Sequence, residues 1–287
     1  IAKREFKEIL QYILTEKGLN YGNTPKGLVD FHIYRDFVRT AFDEHIVEGA
    51  LYCSNGKTAR LHFTVAEEYM PLFKNRLKKV TKVFEKMFNV KYEVSFSIQK
   101  PSTDTVSIDA EGQLLRDEKG QLVFRPGGHG ALIHNLDDLK EDIVFIKNID
   151  NVIPDRAKSD TIKYKKLLAG TLIDIQNKVF GFLATLDKKP TPAQLEEIDR
   201  FLNSIGYKEA EGKTYKDNKE HIKHLQQLLN RPIRICGMVK NEGEPGGGPF
   251  WVKGQDGSSR LMIIESAQID LKNKEQKKIF ERSTHFN

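Results

Sequence analysis

The spacing of apolar residues predicts helices that alternate with strands through the first half of the chain. Helical periodicity runs through residues 1–16, 40–50 and 67–88, whereas the patterns at 59–65 and 92–98 indicate strands. Strands that alternate with helices are typical of a mostly parallel sheet flanked by helices. The first half of the chain is therefore expected to build an α/β sheet of this kind.

A hairpin and a further strand are expected in the middle of the chain. Residues 107–123 carry short apolar runs separated by two glycine-containing turns, a pattern typical of a hairpin. Residues 143–151 begin with an apolar run that has no turn residue, which predicts a strand buried on both faces.

The pattern changes after residue 156, where most of the signal is helical. Helices are predicted at about 162–186, 192–205 and 217–230. Short strands are predicted at 233–239, 250–253 and 260–266, and a last helix from residue 272. The chain is therefore divided into three parts: the first part of an α/β core (1–155), a helical insertion (156–231) and the completion of the core (232–287).

The charge balance predicts a mixed surface. Lys and Arg number 46 against 40 Asp and Glu, a net charge of +6, and many lysines lie on predicted helices. A solvated helical surface accounts for them. A nucleic-acid groove is the alternative, but the chain has no Arg-rich tract and no repeated aromatic platform. No nucleic-acid partner is expected.

Cysteine usage and hydropathy favour a reducing, aqueous location. Cys53 and Cys236 are far apart and lack metal-ligand spacing, so free thiols are expected. No stretch of about 20 apolar residues suggests a membrane span, and no secretory segment opens the chain. The expected location is cytoplasmic, with no membrane partner. Because the chain begins at Ile1, it is interpreted as a fragment of a longer protein.

Three polar residues close the predicted 143–151 strand: Asn148, Asp150 and Asn151. Ligands bind beyond the carboxyl ends of strands in open α/β sheets. Asp150 suits Mg²⁺, which takes one or two carboxylates plus waters and substrate phosphates. A helix-capping or turn role is the alternative for Asp150, and simple turn chemistry for the two asparagines.

A glycine-rich loop precedes this segment. Gly127, Gly128 and Gly130 surround His129, and such a loop lets backbone N–H groups approach an anion or a base without obstruction by Cβ atoms. His129 could donate to a phosphate, or be an ordinary surface histidine. Pro-Gly-Gly alone is a common tight turn. With Asp150 downstream, the two pieces together predict a nucleotide site with a metal-binding aspartate.

Other polar residues have two interpretations each. Gln99 offers an amide donor and acceptor that suit the edge of uracil, or it is a polar loop residue. Residues 32–45 contain histidines and charged residues. These are either candidate ligands or part of a helical surface with ion pairs. The Gly/Pro segment 244–249 is a flap over a substrate or a long turn.

Several motifs resemble the UDP-sugar pyrophosphorylases among the sugar nucleotidyltransferases. The resemblance rests on Pro126-Gly127-Gly128-His129-Gly130 followed by Asn148-Ile149-Asp150-Asn151, and on three flanking motifs, Pro25-Lys26-Gly27-Leu28, Phe96-Ser97-Ile98-Gln99 and Glu265-Ser266-Ala267-Gln268-Ile269. It implies a GT-A-like (Rossmann-like) core and a metal ligand at Asp150. It also implies that Lys26 contacts phosphate and that the glycines approach the base; an ordinary exposed lysine is the alternative for Lys26. Asn148 and Asn151 would orient Asp150 or the sugar. Glu265 would bind sugar hydroxyls, or be a strand-end carboxylate without a ligand.

The whole chain resembles an uncharacterised Bacteroidota family, domain of unknown function 4301. The motifs are Asn20-Tyr21-Gly22, Glu44-His45-Ile46-Val47-Glu48-Gly49 and Lys100-Pro101-Ser102-Thr103-Asp104-Thr105. This family supplies no activity. The Gly-rich, Arg-containing phosphate loop of the nucleotidyltransferases has no counterpart before Lys26, and the resemblance implies that it lies upstream of residue 1. The chain as given would then be inactive by itself.

The expected function is a Mg²⁺-dependent sugar-1-phosphate nucleotidyltransferase. Its substrates would be a nucleoside triphosphate, UTP in the first instance, and a sugar 1-phosphate. A non-catalytic nucleotide-sugar-binding or regulatory protein on the same fold is the alternative.

Overall fold

The computed structural model describes residues 6–243 and 246–287, and they form a mixed α/β structure. Helices account for 45% of it and strands for 17%. The chain divides into two compact units, Ile1–Lys165 and Lys166–Asn287, and the division falls inside the longest helix. Because residues 244 and 245 lie outside the described part, the flap and the long turn both remain predictions for 244–249.

The described residues of the first unit, 6–165, form four complete α-helices and six strands. The helices are α1 (Phe6–Leu14), α2 (Ala41–Tyr52), α3 (Met70–Phe88) and α4 (Ile133–Asp137). The strands are β1 (Asp30–Ile33), β2 (Val38–Thr40), β3 (Thr58–Thr64), β4 (Lys91–Ser97), β5 (Thr105–Val106) and β6 (Phe124–Arg125). A fifth helix, α5 (Lys158–Leu186), begins in this unit and continues into the second.

The core of the first unit lies between the β3–β4 pair and the helices α2 and α3. The two strands run parallel, with Thr58 opposite Lys91 and Thr64 opposite Ser97. A crossover through α3 joins them, as a parallel connection requires. Phe42 of α2 and Phe73 of α3 pack with their rings 5.4 Å apart, in one buried cluster with Phe63. The strands and α3 confirm the predicted elements at 59–65, 92–98 and 67–88.

The start of α2 confirms the helix expected from Thr40. The Thr40 hydroxyl accepts from the Asp43 N–H at 3.2 Å, and the Asp43 carboxylate accepts from the Thr40 N–H at 2.9 Å. This capping box satisfies two amide groups that the first turn leaves without partners. It fixes the direction in which α2 leaves the β1–β2 hairpin.

Residues 143–151 do not form the predicted strand. The segment is extended from Val144 to Asn148 but has no ladder partner, and it ends in a turn at Ile149 and Asp150. Val144 and Ile146 are exposed, so the segment is not buried on both faces. Among the described residues β3–β4 is the one parallel pair, and the other sheets are small and antiparallel. The structure therefore shows a mixed α/β fold without the large parallel sheet expected from the sequence.

The hairpin predicted at 107–123 is present. β5 and β6 pair antiparallel at its base, and isolated bridges join Ile108 to Leu114 and Arg116 to Leu122. Gly112 and Gly120 adopt φ values of 82° and 76° at the two turns, in the left-handed region that favours glycine. The glycines therefore mark the turns that the sequence indicated.

The second unit is built on helices and a three-stranded sheet. Besides the rest of α5 it contains α6 (Pro192–Ser204), α7 (Asn218–Leu229) and α8 (Lys274–Glu281), with strands β7 (Tyr207–Lys208), β8 (Val239–Lys240), β9 (Gly248–Lys253), β10 (Ser259–Ile264) and β11 (His285–Phe286). The antiparallel order is β7–β10–β9, and Ile198 and Leu225 lie at the centre of the helical core. The strand predicted at 233–239 is wrong, because pairing begins only at Val239.

One described helical stretch, Asp155–Leu186, which is α5 with the 3-10 turn before it, is long and apolar enough by length and composition to cross a membrane. The sequence alone predicts no such span. The helix carries an ion pair between Lys178 and Asp174, 3.0 Å long. One such helix is weak evidence for a membrane span.

Candidate functional site

The structure joins two residues that the sequence assigned to the same site. Lys26 Nζ lies 2.6 Å from Asp150 Oδ2, although the residues are 124 positions apart. The Lys26 side chain is 67% exposed and that of Asp150 38% exposed. The pair therefore stands at the surface, where a ligand can reach both groups.

Asp150 lies in a turn that α2 holds in place. The turn is closed by a hydrogen bond from the Asn151 N–H to the Asn148 carbonyl, 3.1 Å long. His45 of α2 donates from Nε2 to the Ile149 carbonyl at 3.0 Å. Burial and the nearby Lys147 ammonium lower the pKa of His45, which keeps the ring neutral and leaves one nitrogen as the donor.

The segment before the turn contacts α2 through alternate residues. The Phe145 ring lies 5.2 Å from the Tyr52 ring, and Lys147 Nζ lies 2.5 Å from Glu48 Oε2. With the His45 contact, residues two apart on the extended segment meet residues three or four apart on one helix face. This spacing fixes the register of the segment and so the position of Asp150.

The turn that carries Lys26 packs closely against the same segment. A Cβ atom on Gly27 would lie 2.9 Å from the Ile149 Cγ1 atom and 2.9 Å from the Phe73 ring. Real Cβ atoms essentially never approach that closely, so only glycine fits here without a shift. The close approach brings Lys26 within reach of Asp150.

The glycine-rich loop lies beside the residues that follow β4. A Cβ atom on Gly127 would lie 2.8 Å from the Thr103 carbonyl oxygen and 3.6 Å from Gln99 Nε2. Cβ atoms on Gly128 and Gly130 would meet no described atom within 4 Å. Gly127 is thus needed for packing, whereas the other two glycines face open space.

Asn135 anchors this loop, and nothing in the sequence pattern pointed to it. The buried Asn135 Nδ2 donates to Ser97 Oγ at 2.9 Å and to the Ile98 carbonyl at 2.8 Å. These bonds tie α4 to the carboxyl end of β4, close to Gln99. Gln99 itself donates to Thr103 Oγ1 at 3.2 Å.

His129 links the loop to Asp150 electrostatically. The pKa of Asp150 is lowered, mainly by the Lys26 hydrogen bond, and His129 lowers it further. Asp150 is therefore ionised at neutral pH. The structure thus joins Lys26 to Asp150 and places Gln99 beside the position that a Cβ atom on Gly127 would occupy, while His129 acts on Asp150 only through its charge.

The remaining predicted residues have simpler surroundings. Asn148 and Asn151 are exposed at the two ends of the Asp150 turn. Glu265 lies in the second unit, where it forms a capping box with Gln268. Turn chemistry accounts for the asparagines and capping accounts for Glu265, so the sugar-facing roles of all three stay predictions.

A buried ionic cluster lies in the region predicted to be a helical surface. Glu44 accepts from Tyr34 at 2.7 Å and from Lys158 at 2.6 Å, and its other close partner is His32 at 2.9 Å. Arg39 donates to Asp155 at 2.6 Å. Ion pairs are present as predicted, but the surface interpretation is wrong because Arg39, Asp43 and Glu44 are almost fully buried.

The pKa of Glu44 is set by two opposing effects. Burial raises it, and the hydrogen bonds from Lys158, Tyr34 and His32 outweigh burial and lower it. The carboxylate is therefore ionised at neutral pH with its partners already supplied by the protein. This cluster is structural, since the side chains of Glu44, Arg39 and Lys158 are almost fully buried. Asp155, which is 45% exposed, closes the cluster on its solvent side.

Asp150 fits a magnesium ion in one respect only. Its carboxylate is a hard oxygen donor within reach of solvent, which suits a cation that keeps several waters and takes phosphate oxygens. No group of three or more His, Cys, Asp or Glu side chains in the described ranges is arranged to hold a metal. A Mg²⁺ ion here would therefore depend on the ligand for much of its coordination.

Comparison with known proteins gives a single positive result. No curated protein and no solved structure matches the chain. A family model, "Domain of unknown function (DUF4301)", matches residues 1–287. The chain therefore belongs to the DUF4301 family.

Proposed function

We propose that this protein is a Mg²⁺-dependent sugar-1-phosphate nucleotidyltransferase with a GT-A-like core. The observation that carries the proposal is the exposed Lys26–Asp150 pair, 2.6 Å long, in the neighbourhood of the glycine-rich loop. A cation and an anion held together at the surface suit a polyphosphate–metal ligand, because the ammonium can turn to phosphate and the carboxylate to the metal.

The loop and Gln99 suit the nucleotide end of such a ligand. The open space at Gly128 and Gly130 admits a base or a phosphate close to the backbone. Gln99, next to Gly127, offers an amide that can pair with the edge of uracil. His129 can donate to a phosphate oxygen. UTP is therefore the nucleotide we propose first.

The proposed reaction is an in-line displacement at the α-phosphorus. A phosphate oxygen of the sugar 1-phosphate forms the new bond to phosphorus, the bond from that phosphorus to the β-phosphate bridging oxygen breaks, and pyrophosphate leaves with the electron pair. Lys26 would hold the phosphates in line and balance their charge, which is most of what such a reaction needs from protein groups. Bound Mg²⁺ would supply further positive charge to the phosphate oxygens.

The test is pyrophosphate release by the protein from UTP and a panel of sugar 1-phosphates with Mg²⁺. We expect Asp150→Asn to lower the rate by at least about 100-fold, the usual scale for loss of one electrostatic stabiliser. Asp138→Asn is the matched control, because Asp138 forms an exposed pair with Lys100, 2.8 Å long, in the same unit. Equal rates for the two variants would refute the proposal.

A non-catalytic nucleotide-sugar-binding protein is the second candidate. It is favoured by the lack of a multi-residue metal site among the described residues and by the existing contact of Asp150 with Lys26. It predicts that titration calorimetry detects binding of a UDP-sugar and that no pyrophosphate is released. The Asp150→Asn variant should still bind the UDP-sugar.

We also propose a cytoplasmic location. Cys53 and Cys236 are both free thiols, which is typical of proteins in reducing compartments. The half-buried Cys53 is unreactive, because burial and the Glu48 carboxylate raise the pKa of its thiol to about 12.

A further inference from the structure

The outer face of α3 carries an uncompensated positive charge. The helix has six basic residues and one acidic residue, Glu85. Arg76 pairs with the buried Asp43, but the five lysines are exposed and form no ion pair with any described residue: Lys74, Lys78, Lys79, Lys82 and Lys86. Exposed lysines usually have acidic neighbours on a solvated helix, and these have almost none.

The lysines lie on one side because the other side of α3 is packed. Phe73 and Phe84 are buried in the core of the first unit, with Leu77 packed against them. Lys74, Lys78, Lys82 and Lys86 follow one another at four-residue spacing. At 1.5 Å per residue they form a row about 18 Å long.

Apolar side chains run beside this row. Leu72, Val83 and Met87 are 48%, 57% and 50% exposed. Val83 and Met87 each follow a lysine and lie one helical turn apart, so they form a second row next to the first. The exposed positions of α3 therefore combine positive charge with aliphatic surface, and they carry no arginine and no aromatic residue.

The positive surface extends past the end of the helix. A shallow cleft of about 690 Å³ is lined by Lys82 and Lys86 together with Lys57 and Lys91. Glu85, the acidic residue in the cleft, is already engaged by Lys91 at 3.4 Å. The cleft continues the lysine row and adds to its charge.

We propose that this lysine face of α3 docks the protein reversibly on a bilayer that contains anionic lipid. Lysines near such a surface are attracted to the lipid headgroups, and aliphatic side chains beside them can enter the boundary between headgroups and acyl chains. A single-stranded nucleic acid would call for stacking platforms and arginine, which this face lacks. The composition gave no reason to expect a membrane partner because it does not reveal that the lysines share one face.

The experiment is co-sedimentation of the full chain with lipid vesicles. The vesicles are phosphatidylcholine alone, or with about 30 mol% phosphatidylserine, in about 50 mM and about 300 mM NaCl. The test variant replaces four α3 lysines by Gln (Lys78, Lys79, Lys82 and Lys86). The matched control replaces four exposed lysines of the second unit by Gln: Lys272, Lys274, Lys277 and Lys278. Circular dichroism checks that both variants fold.

We expect binding only to the anionic vesicles, weaker at the higher salt. Each lysine at the membrane surface contributes about fivefold in affinity. The α3 variant, which loses four, should therefore bind at least about 100-fold more weakly, and the control within about threefold of the wild type. Equal losses in the two variants, binding without phosphatidylserine, or no binding at all would overturn the proposal. The proposal would also be overturned if the wild type bound a uridine oligonucleotide more tightly than the anionic vesicles and the α3 variant did not bind it. That result would assign the face to nucleic acid.

The aliphatic row is tested separately. Leu72→Ser, Val83→Ser and Met87→Ser together keep every charge and remove the apolar surface. We expect this variant to bind the anionic vesicles severalfold more weakly than the wild type. The loss in affinity should be the same at low and at high salt. Unchanged binding would show that these side chains do not enter the bilayer.

Discussion

Two carboxylate–ammonium pairs in the first unit have the same length and opposite surroundings. Lys158 Nζ lies 2.6 Å from Glu44 Oε2, and Lys26 Nζ lies 2.6 Å from Asp150 Oδ2. The first pair is 3% and 0% exposed, whereas the second is 67% and 38% exposed. The distance between the charges therefore does not reveal what a pair is for.

Burial decides the difference. Glu44 has lost its hydration, so it needs all of its partners, and removal of one leaves a buried charge uncompensated. Asp150 retains contact with water, so Lys26 adds little stability and a ligand can replace it at low cost. The buried pair is suited to hold α2 and the start of α5 together. The exposed pair is suited to exchange its internal contact for a ligand.

The largest expected effect comes from breaking the buried pair. Glu44→Gln should lower the free energy of unfolding by about 3–5 kcal/mol, because the buried Lys158 loses its closest carboxylate and keeps only Asp155, 3.6 Å away. Asp150→Asn should lower it by less than about 1 kcal/mol. Urea denaturation followed by circular dichroism measures both. Similar losses of unfolding free energy in the two variants would contradict the proposed difference between the buried and the exposed pair.

A smaller effect on stability is expected at Gly27, which packs against the core next to Lys26. Gly27→Ala should destabilise the protein by about 1–3 kcal/mol, because its Cβ would press on Ile149 and Phe73. Gly128→Ala has open space and should leave the midpoint of thermal unfolding unchanged while weakening any nucleotide binding. A destabilised Gly128→Ala variant would contradict the assignment of that glycine to a ligand.

The contribution of His45 to the free energy of unfolding should depend on pH. Its pKa is lowered in the folded protein, by burial first, so protons bind the unfolded state preferentially below about pH 6.5. Stability should therefore be complete above that pH and fall as the pH drops toward the folded pKa, by at most about 1.4 kcal/mol per pH unit. His45→Gln should flatten this part of the curve in urea denaturation between pH 7.5 and 5.5.

The smallest expected effect is the coupling within the exposed pair itself. A double-mutant cycle with Lys26→Gln and Asp150→Asn should give less than about 1 kcal/mol of interaction energy at low ionic strength. That energy should approach zero in about 1 M NaCl, where charges are screened within about 3 Å. A coupling that persists in high salt would mean that the pair is more structural than its exposure indicates.

The sequence was sufficient where a local pattern determines the structure. The Thr40 cap, the alternation in β3 and β4 and the glycine turns of the 107–123 hairpin each depend on neighbours a few residues away. The motif resemblance selected Lys26 and Asp150, which the structure joins. It could not supply their contact, because nothing local specifies a partner 124 residues away.

The sequence was insufficient where distant partners decide the outcome. An apolar run at 143–149 looks the same whether it pairs in a sheet or lies on a helix, and here α2 takes the place of a neighbouring strand. The charged residues from His32 to Glu44 are typical of an exposed helix until Lys158, 114 residues after Glu44, is found beside them. Asn135 is a single amide with no pattern around it.

The contacts of Phe145, Lys147 and Ile149 with α2 limit how this part of the chain can evolve. Deleting or inserting one residue between Phe145 and Ile149 would turn the residues after the change to the opposite side of the segment and carry Asp150 away from Lys26. Length changes between residues 145 and 149 should therefore be rare among natural variants. Replacements at the outward-facing Val144 and Ile146 should be common.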